Sequence, residues 1–551
     1  MRRLSLTLAA VASLATSSTT VRAELRAGAA KIDITPRQLP VIQNGGFLQR
    51  VVKIIADPLH ARALAIDDGS GPLVICVVDS CMIPTPLCDK AKALAAAQED
   101  IDPRRILISA THTHSAPSAM DMCLGTDRDP AYSEFLPGKI AEAIVAAVRD
   151  LRPAEAASLR FDASDYTANR RWITRPGAMG TDPFGGTTVR ANMHPGYQNP
   201  SYVGESGPED PWFTMLSLRE KEGGQIALLG NFSMHYFSGH SGISSDYFGR
   251  FCELMETKHG GLAMLSQGTS GDLWRADYSL PKKESEISIE RYCGELAELA
   301  SGALAEAEYK PDAPVRIVER RISIRRRTPD EARLRWAREL VGAMGERSPK
   351  DRPEVYARQA VYIHDNPNAE VVLQSARVGQ LGITAIPNEV YALTGLKLKA
   401  HSPLPLTMNI ELANGAEGYI PPPEQHHLGG YTTWPSVTAG LEVDAEPQIV
   451  EQLLQLLEEV AQTPRMLYAE PRGKYAEAAA RLRPLHYWSL GQLAPTADFE
   501  PGVVVHLPGV QGEGFPGEHQ SRSAMFCGGR LRAEAQRLGE EYSVAFWFWT
   551  G

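Results

Sequence analysis

Two histidines two residues apart, His112 and His114, follow a strand-like run at residues 105–109 and precede small, turn-forming residues. On an extended backbone, positions i and i+2 point the same way. The pair therefore predicts two imidazoles side by side at a strand end, half of a zinc site. The same spacing equally suits a pair of surface or core histidines. A zinc site needs further donors, delivered at element ends that open towards one pole of a sheet. His235 closes the run Asn231-Phe-Ser-Met-His235, and Glu389 follows an apolar run broken at Pro387. A glutamate at a helix start also serves as a dipole or capping device, and on residues alone both readings of Glu389 stand.

The elements that must position these groups alternate. Residues 62–66, 73–78, 105–109, 262–265, 370–373, 382–386 and 407–410 read as strands, and 212–218 with 225–231 as a hairpin around a charged turn. Helical patterns fall at 86–97, 134–150, 248–258, 287–307, 389–399 and 446–462. This alternation predicts a mixed α/β catalytic domain over residues 24–470. Residues 170–210 read as one long Gly-, Pro- and Asn-rich loop, and 326–364 as a charged helical excursion. No internal repeat is present.

Composition narrows the partners. Across 551 residues the balance of 56 basic to 66 acidic side chains gives a net charge of −10, which argues against nucleic-acid binding. Arg2, Arg3, an apolar stretch and a small residue at position 23 predict a signal peptide over residues 1–23, with Glu24 as the mature start. No later stretch has the apolar length of a transmembrane span, so the mature protein is expected to be secreted or periplasmic. Seven cysteines without a CxxC pair give no cysteine zinc site, and the odd number leaves at least one unpaired.

The last 80 or so residues differ in texture. Sparse Gly and aromatic residues, ending in Tyr542-Ser-Val-Ala-Phe-Trp-Phe-Trp549, resemble the opening strands of a laminin-G or concanavalin-like jelly roll. Residues 471–551 are thus expected to begin an all-β module, truncated in this sequence, with a carbohydrate as the contact such a module would make.

Several short motifs occur in order: Lys31-Ile-Asp-Ile-Thr-Pro36, Ser109-Ala-Thr-His-Thr-His-Ser115, Asn231-Phe-Ser-Met-His235, Ser245-Asp246, Gln267-Gly-Thr-Ser-Gly-Asp272, Ala385-Ile-Pro-Asn-Glu389 and Glu417-Gly-Tyr-Ile420. Together they resemble the neutral (non-lysosomal) ceramidase family over about residues 25–465. The resemblance implies a catalytic Zn2+ held by His112, His235, Glu389 and Tyr419. It places His114 beside the substrate, and Asn169 and Arg170 near it, with the register between Arg170 and Arg171 open. It also places Tyr431 beside the site, either donating to a developing oxyanion or simply packing. The implied chemistry is hydrolysis of an N-acyl amide, ceramide or a related lipid, by zinc-activated water.

One motif departs from the family. Where ceramidases carry Gly-Asp-Val-Ser-Pro, this chain has Gly271-Asp-Leu-Trp-Arg275. Trp274 replaces the serine, so a serine nucleophile there is excluded, while a zinc–water mechanism survives. Asp272 and Trp274 are expected to shape the substrate pocket. Over residues 471–551 the jelly-roll-like module is expected in place of the family's C-terminal immunoglobulin-like domain. Alternatives remain: hydrolysis of a sugar- or peptide-linked amide, a degenerate binding protein, or a TIM-barrel metal hydrolase, although HxH there belongs on the first strand.

Overall fold

The computed structural model describes residues 24–467 and, beyond them, 473–490, 497–500, 503–508, 522–526, 529–535, 538–546 and 548. The expected signal peptide lies outside the described residues, as does Cys527. The other six cysteines are buried and free.

Three mixed sheets build the body of the chain. In the first, Ile106–Ala110, Leu73–Val78, His60–Asp67, Arg26–Asp33 and Arg152–Pro153 lie in that order. The second runs Leu262–Gln267, Gln225–Phe232, Trp212–Arg219, Glu155–Asp162, and the third Val315–Arg325, Asn368–Val378, Leu381–Ala385, Leu406–Ile410. Each is antiparallel except for one parallel pair: Leu73–Val78 with Ile106–Ala110, Gln225–Phe232 with Leu262–Gln267, and Leu381–Ala385 with Leu406–Ile410.

Side-chain alternation explains how the sheets pack. Along Leu73–Val78, residues Val74, Cys76 and Val78 face helices Thr85–Ala96 and Pro130–Arg149, while Leu73, Ile75 and Val77 face an interior shared with the other sheets. The second sheet turns Phe213, Met215 and Leu265 to helices Asp246–His259 and Ile289–Ala305, and Leu216, Leu229 and Met264 inward. The third does likewise, with Leu373 against helix Ala445–Ala461 and Ile383 and Met408 inside. Strands covered on both faces read as unbroken apolar runs. Each aliphatic side chain in the shared interior contributes about 1.5–3 kcal/mol, against roughly 0–1 kcal/mol for an exposed ion pair. The interior, not the surface charge, therefore holds the sheets in register.

Most sequence-derived elements lie within a few residues of their expected bounds, and three differ. Residues 170–210 hold a small sheet of Arg171–Thr174, Ala191–Met193 and Tyr202–Glu205, stitched by runs too short to show a period. The excursion resolves into helices Glu331–Met344 and Arg352–Asp365, preceded by the edge strand Val315–Arg325. Its exposed arginines, Arg316, Arg321 and Arg325, break the apolar pattern and hide it in the sequence. Glu389 starts no helix; it sits in the two-residue strand Glu389–Val390, and the helix begins at Ala392. Three mixed sheets exclude the TIM barrel.

The described C-terminal residues hold a helix, Lys474–Arg481, and two strand pairs, Asp498–Phe499 with Leu531–Arg532 and Val503–Pro508 with Arg522–Phe526. Among the described residues no helix is long and apolar enough to cross a membrane.

Candidate metal centre

All three parallel pairs point their C-terminal ends at one place. The segment after Ile106–Ala110 delivers His112, that after Gln225–Phe232 delivers His235, and that after Leu381–Ala385 delivers Glu389. One donor thus comes from each sheet. The three side chains are buried, and their ligand atoms lie within 4.8 Å of one another.

His112 does not sit on extended backbone. The strand stops at Ala110, and His112 adopts φ +69°, a left-handed conformation that a residue with a Cβ holds only under constraint from its surroundings. His112 N–H donates to Ser80 O at 2.9 Å and its Nδ1 donates to Cys81 O at 2.9 Å. With Nδ1 as the donor, Nε2 carries the lone pair. That Nε2 lies 3.1 Å from His235 Nε2 and 3.3 Å from Glu389 Oε2. The turn, rather than period-two alternation, brings the His112 and His114 rings to a 4.6 Å edge-on contact.

Glu389 and Tyr419 are register partners in a parallel bridge between Glu389–Val390 and Tyr419–Ile420. The Tyr419 phenol is raised well above its ordinary range by burial and by Glu389, while Arg170 opposes the shift. The two Nη2 protons of Arg170 are shared among Gly271 O at 2.7 Å and Tyr419 Oη and His235 Nε2, each at 3.1 Å. The neighbouring Arg171 points elsewhere, donating to Ser206 Oγ, Gln425 Oε1 and Gly429 O. The register left open by the sequence is thereby settled for geometry: Arg170 faces the cluster and Arg171 anchors a loop.

The donor set fits a metal. Glu389 Oε2 is buried without a hydrogen-bond partner, which costs free energy unless something else satisfies it. Two imidazole lone pairs, a carboxylate and a phenol oxygen converging in a buried space form a set suited to Zn2+. Burial holds His235 well below the ordinary imidazole range, keeping it neutral as a ligand must be.

The other expected residues surround this centre. His114 stacks on Tyr236 at 3.6 Å and is held well below its ordinary range by burial, then by His112 and Arg170. Its Nε2 lies 3.1 Å from His112 Nε2, yet its metal-capable grouping is with Cys81 and His112 rather than with His235 and Glu389. Gly45, at φ +91°, lies so close that a Cβ there would come within 2.4 Å of the His114 ring. The Tyr431 ring packs edge-on to Tyr419 at 5.7 Å. Trp274 stands edge-on to Tyr236 at 4.8 Å and to His194 at 4.9 Å, forming an aromatic wall.

Asn169 and Asp272 face each other rather than the centre. Asn169 Nδ2 donates to Asp272 Oδ2 at 3.0 Å, and Asp272 Oδ1 accepts from Ala392 N at 2.8 Å. Burial pushes the Asp272 carboxyl up to about 6. This pair ties the Arg170 segment to the helix that follows Glu389. Sequence reasoning passed over Tyr236, Gly45 and Glu411. Tyr236 adjoins His235 and was the one open to detection.

No family model matches the sequence, and no curated protein matches it significantly. Solved structures do. The neutral ceramidase from Pseudomonas aeruginosa superposes with a TM-score of 0.59 at 16% identity, covering 81% of this chain and 76% of that one. A second structure, a ceramidase complexed with C2, gives a TM-score of 0.59 at 15% identity, with 81% and 77% covered. At such identity the likeness concerns the fold: this chain has a fold similar to that of neutral ceramidase.

Proposed function

We propose that this protein is an exported, zinc-dependent amide hydrolase that cleaves the N-acyl bond of ceramide or a related lipid amide. The observation that carries the reading is the convergence of His112, His235 and Glu389, one from each sheet, around the unpartnered Glu389 Oε2. It does so in a fold shared with neutral ceramidase structures.

His112, His235, Glu389 and Tyr419 would hold the ion. Bound there, Zn2+ supplies Lewis acidity and a water pKa near neutrality. His114, neutral and next to the ligands, is placed to take a proton and pass it to the departing amine. Arg170 and the Tyr431 hydroxyl offer donors to the oxygen that gains charge in the tetrahedral transition state. Burial of the ligands lowers the local dielectric and strengthens each of these interactions. Asn169 and Asp272 act on substrate through the placement of Arg170. Residues 471–551 belong in this reading to a separate module with its own contact.

The aromatic wall of Trp274, Tyr236 and His194, with Trp274 edge-on to the other two, favours one variant of the reading, an acylated amino sugar stacked on one of those rings. The test is zinc content of the purified protein together with amine release from a panel of N-acyl sphingosines, N-acyl amino acids and N-acyl sugars. Stoichiometric zinc with release from the sphingosines supports the lipid reading. Preference for the sugars selects the variant, and zinc-free, inactive protein removes both.

A further inference from the structure

Glu411 lies fully buried just past the strand Leu406–Ile410. Its Oε1 accepts from Ser270 Oγ at 2.8 Å, and its Oε2 accepts from the backbone N–H of Val390 at 2.7 Å and of Ser270 at 3.3 Å. Three donors converge on one carboxyl, and one belongs to the residue next to Glu389. Ser270 Oγ in turn lies 3.4 Å from His235 Nδ1 and receives Gln267 Nε2.

A hydroxyl has one proton to give. A guanidinium can only donate, so the Arg170 contact at 3.1 Å makes His235 Nε2 an acceptor and leaves the His235 proton on Nδ1, and the Ser270 proton then goes to Glu411 Oε1. The lone pairs of Ser270 Oγ are then left for Gln267 N–H and His235 Nδ1–H. His235 with its proton on Nδ1 turns an unprotonated Nε2 towards His112 and Glu389. We propose that Glu411 is a positioning residue which, through Ser270, fixes the tautomer and orientation of His235 and thereby sets the affinity of the centre for its metal. This inference rests on the reading of the cluster as a metal site.

Glu411→Gln tests it with almost no change in shape. The Val390 and Ser270 N–H groups need an acceptor, so the amide oxygen takes their side and its NH2 faces Ser270 Oγ. Ser270 must then give its proton to His235 Nδ1, which moves the imidazole proton to Nε2, the metal side. Outer hydrogen-bond partners of metal ligands are typically worth about 10- to 100-fold in affinity. Zinc affinity, read by competition with a chromophoric chelator, should fall by about that factor in Glu411→Gln and in Ser270→Ala. The double variant should lose no more than the larger single loss, because both act through one contact. Saturating zinc should restore most of the turnover, which a general loosening of the fold would not allow. Wild-type affinity in either single variant, or additive losses in the double, would overturn the proposal. If Glu411→Gln does not fold, Ser270→Ala decides alone. Zinc uptake by the wild type separates the two readings: without it the metal site itself fails, whereas uptake with unchanged variants removes only the role of Glu411.

Discussion

Glu389 and Tyr419 stand opposite each other in a parallel bridge of two residues per strand, so backbone pairing places a carboxylate beside a phenol before any ion is involved. His235 then completes the cluster from another sheet. Replacing His235 or Glu389 by alanine should remove metal-supported catalysis while leaving the three sheets folded. We expect amine release to fall by about 100- to 10,000-fold, equivalent to roughly 3–5 kcal/mol of transition-state stabilisation. Retained zinc and activity in His235→Ala would contradict the assignment.

The adjacent arginines should separate by phenotype. Arg170→Lys keeps the charge but cannot reach Tyr419 Oη and Gly271 O together. Turnover should drop with little change in thermal stability. Arg171→Ala leaves Gln425 and Gly429 without their buried donor, at a cost of about 3 kcal/mol. Thermal midpoints and kcat, measured on both variants, would show the two effects exchanged if the side chains were assigned the wrong way round.

Gly45→Ala should injure the site from outside it. Gly45 has φ +91°, and an added Cβ would meet the His114 ring. The strain costs about 1 kcal/mol or more, and the ring must shift off Tyr236. Expected are a lowered kcat and unchanged zinc affinity, since His114 lies outside the cluster of His112, His235 and Glu389. Reduced zinc binding would instead place His114 among the ligands.

The stability that His60 contributes should decline in mild acid, while Asp272, raised to about 6, pulls the other way. Burial, aided by Arg62 and Lys31, pushes His60 down to about 4. Unfolded histidine takes up its proton near 6.5, so between those values the unfolded chain binds more protons. The His60 contribution is therefore complete above about 6.5 and is lost as pH falls towards about 4. His60 alone accounts for about 2 kcal/mol between roughly pH 7 and pH 5. His426, pushed down to about 3 by burial, acts in the same direction. Denaturant midpoints at the two pH values measure the loss, and His60→Gln should reduce it. The same pH dependence in His60→Gln as in the wild type would refute it.

The sequence made the strands that carry the ligands legible, because buried parallel pairs leave unbroken apolar runs such as Leu73–Val78. The order of its motifs brought His112, His235, Glu389 and Tyr419 forward together, and the structure draws these four close. What stayed hidden depends on contacts between distant segments. Nothing local announces that His112 takes a left-handed backbone, since the Ser80 and Cys81 carbonyls that hold it belong to another turn. The choice between Arg170 and Arg171 is settled by Tyr419 and Gln425, far along the chain. Glu411 follows an apolar strand in a region without a histidine motif, and its importance appears only when Ser270 and Val390 are brought to it.

The supply of one donor by each sheet makes the centre a checkpoint on assembly. A chain with two sheets docked and the third still loose presents an incomplete set of ligands, and weak capture follows. On the proposed reading only the finished molecule would bind zinc tightly, and free zinc would then draw the population towards the folded form by RT ln(1 + [Zn]/Kd). On the reading of an exported zinc enzyme, the ion in the surrounding medium would be a late folding partner as well as a reagent.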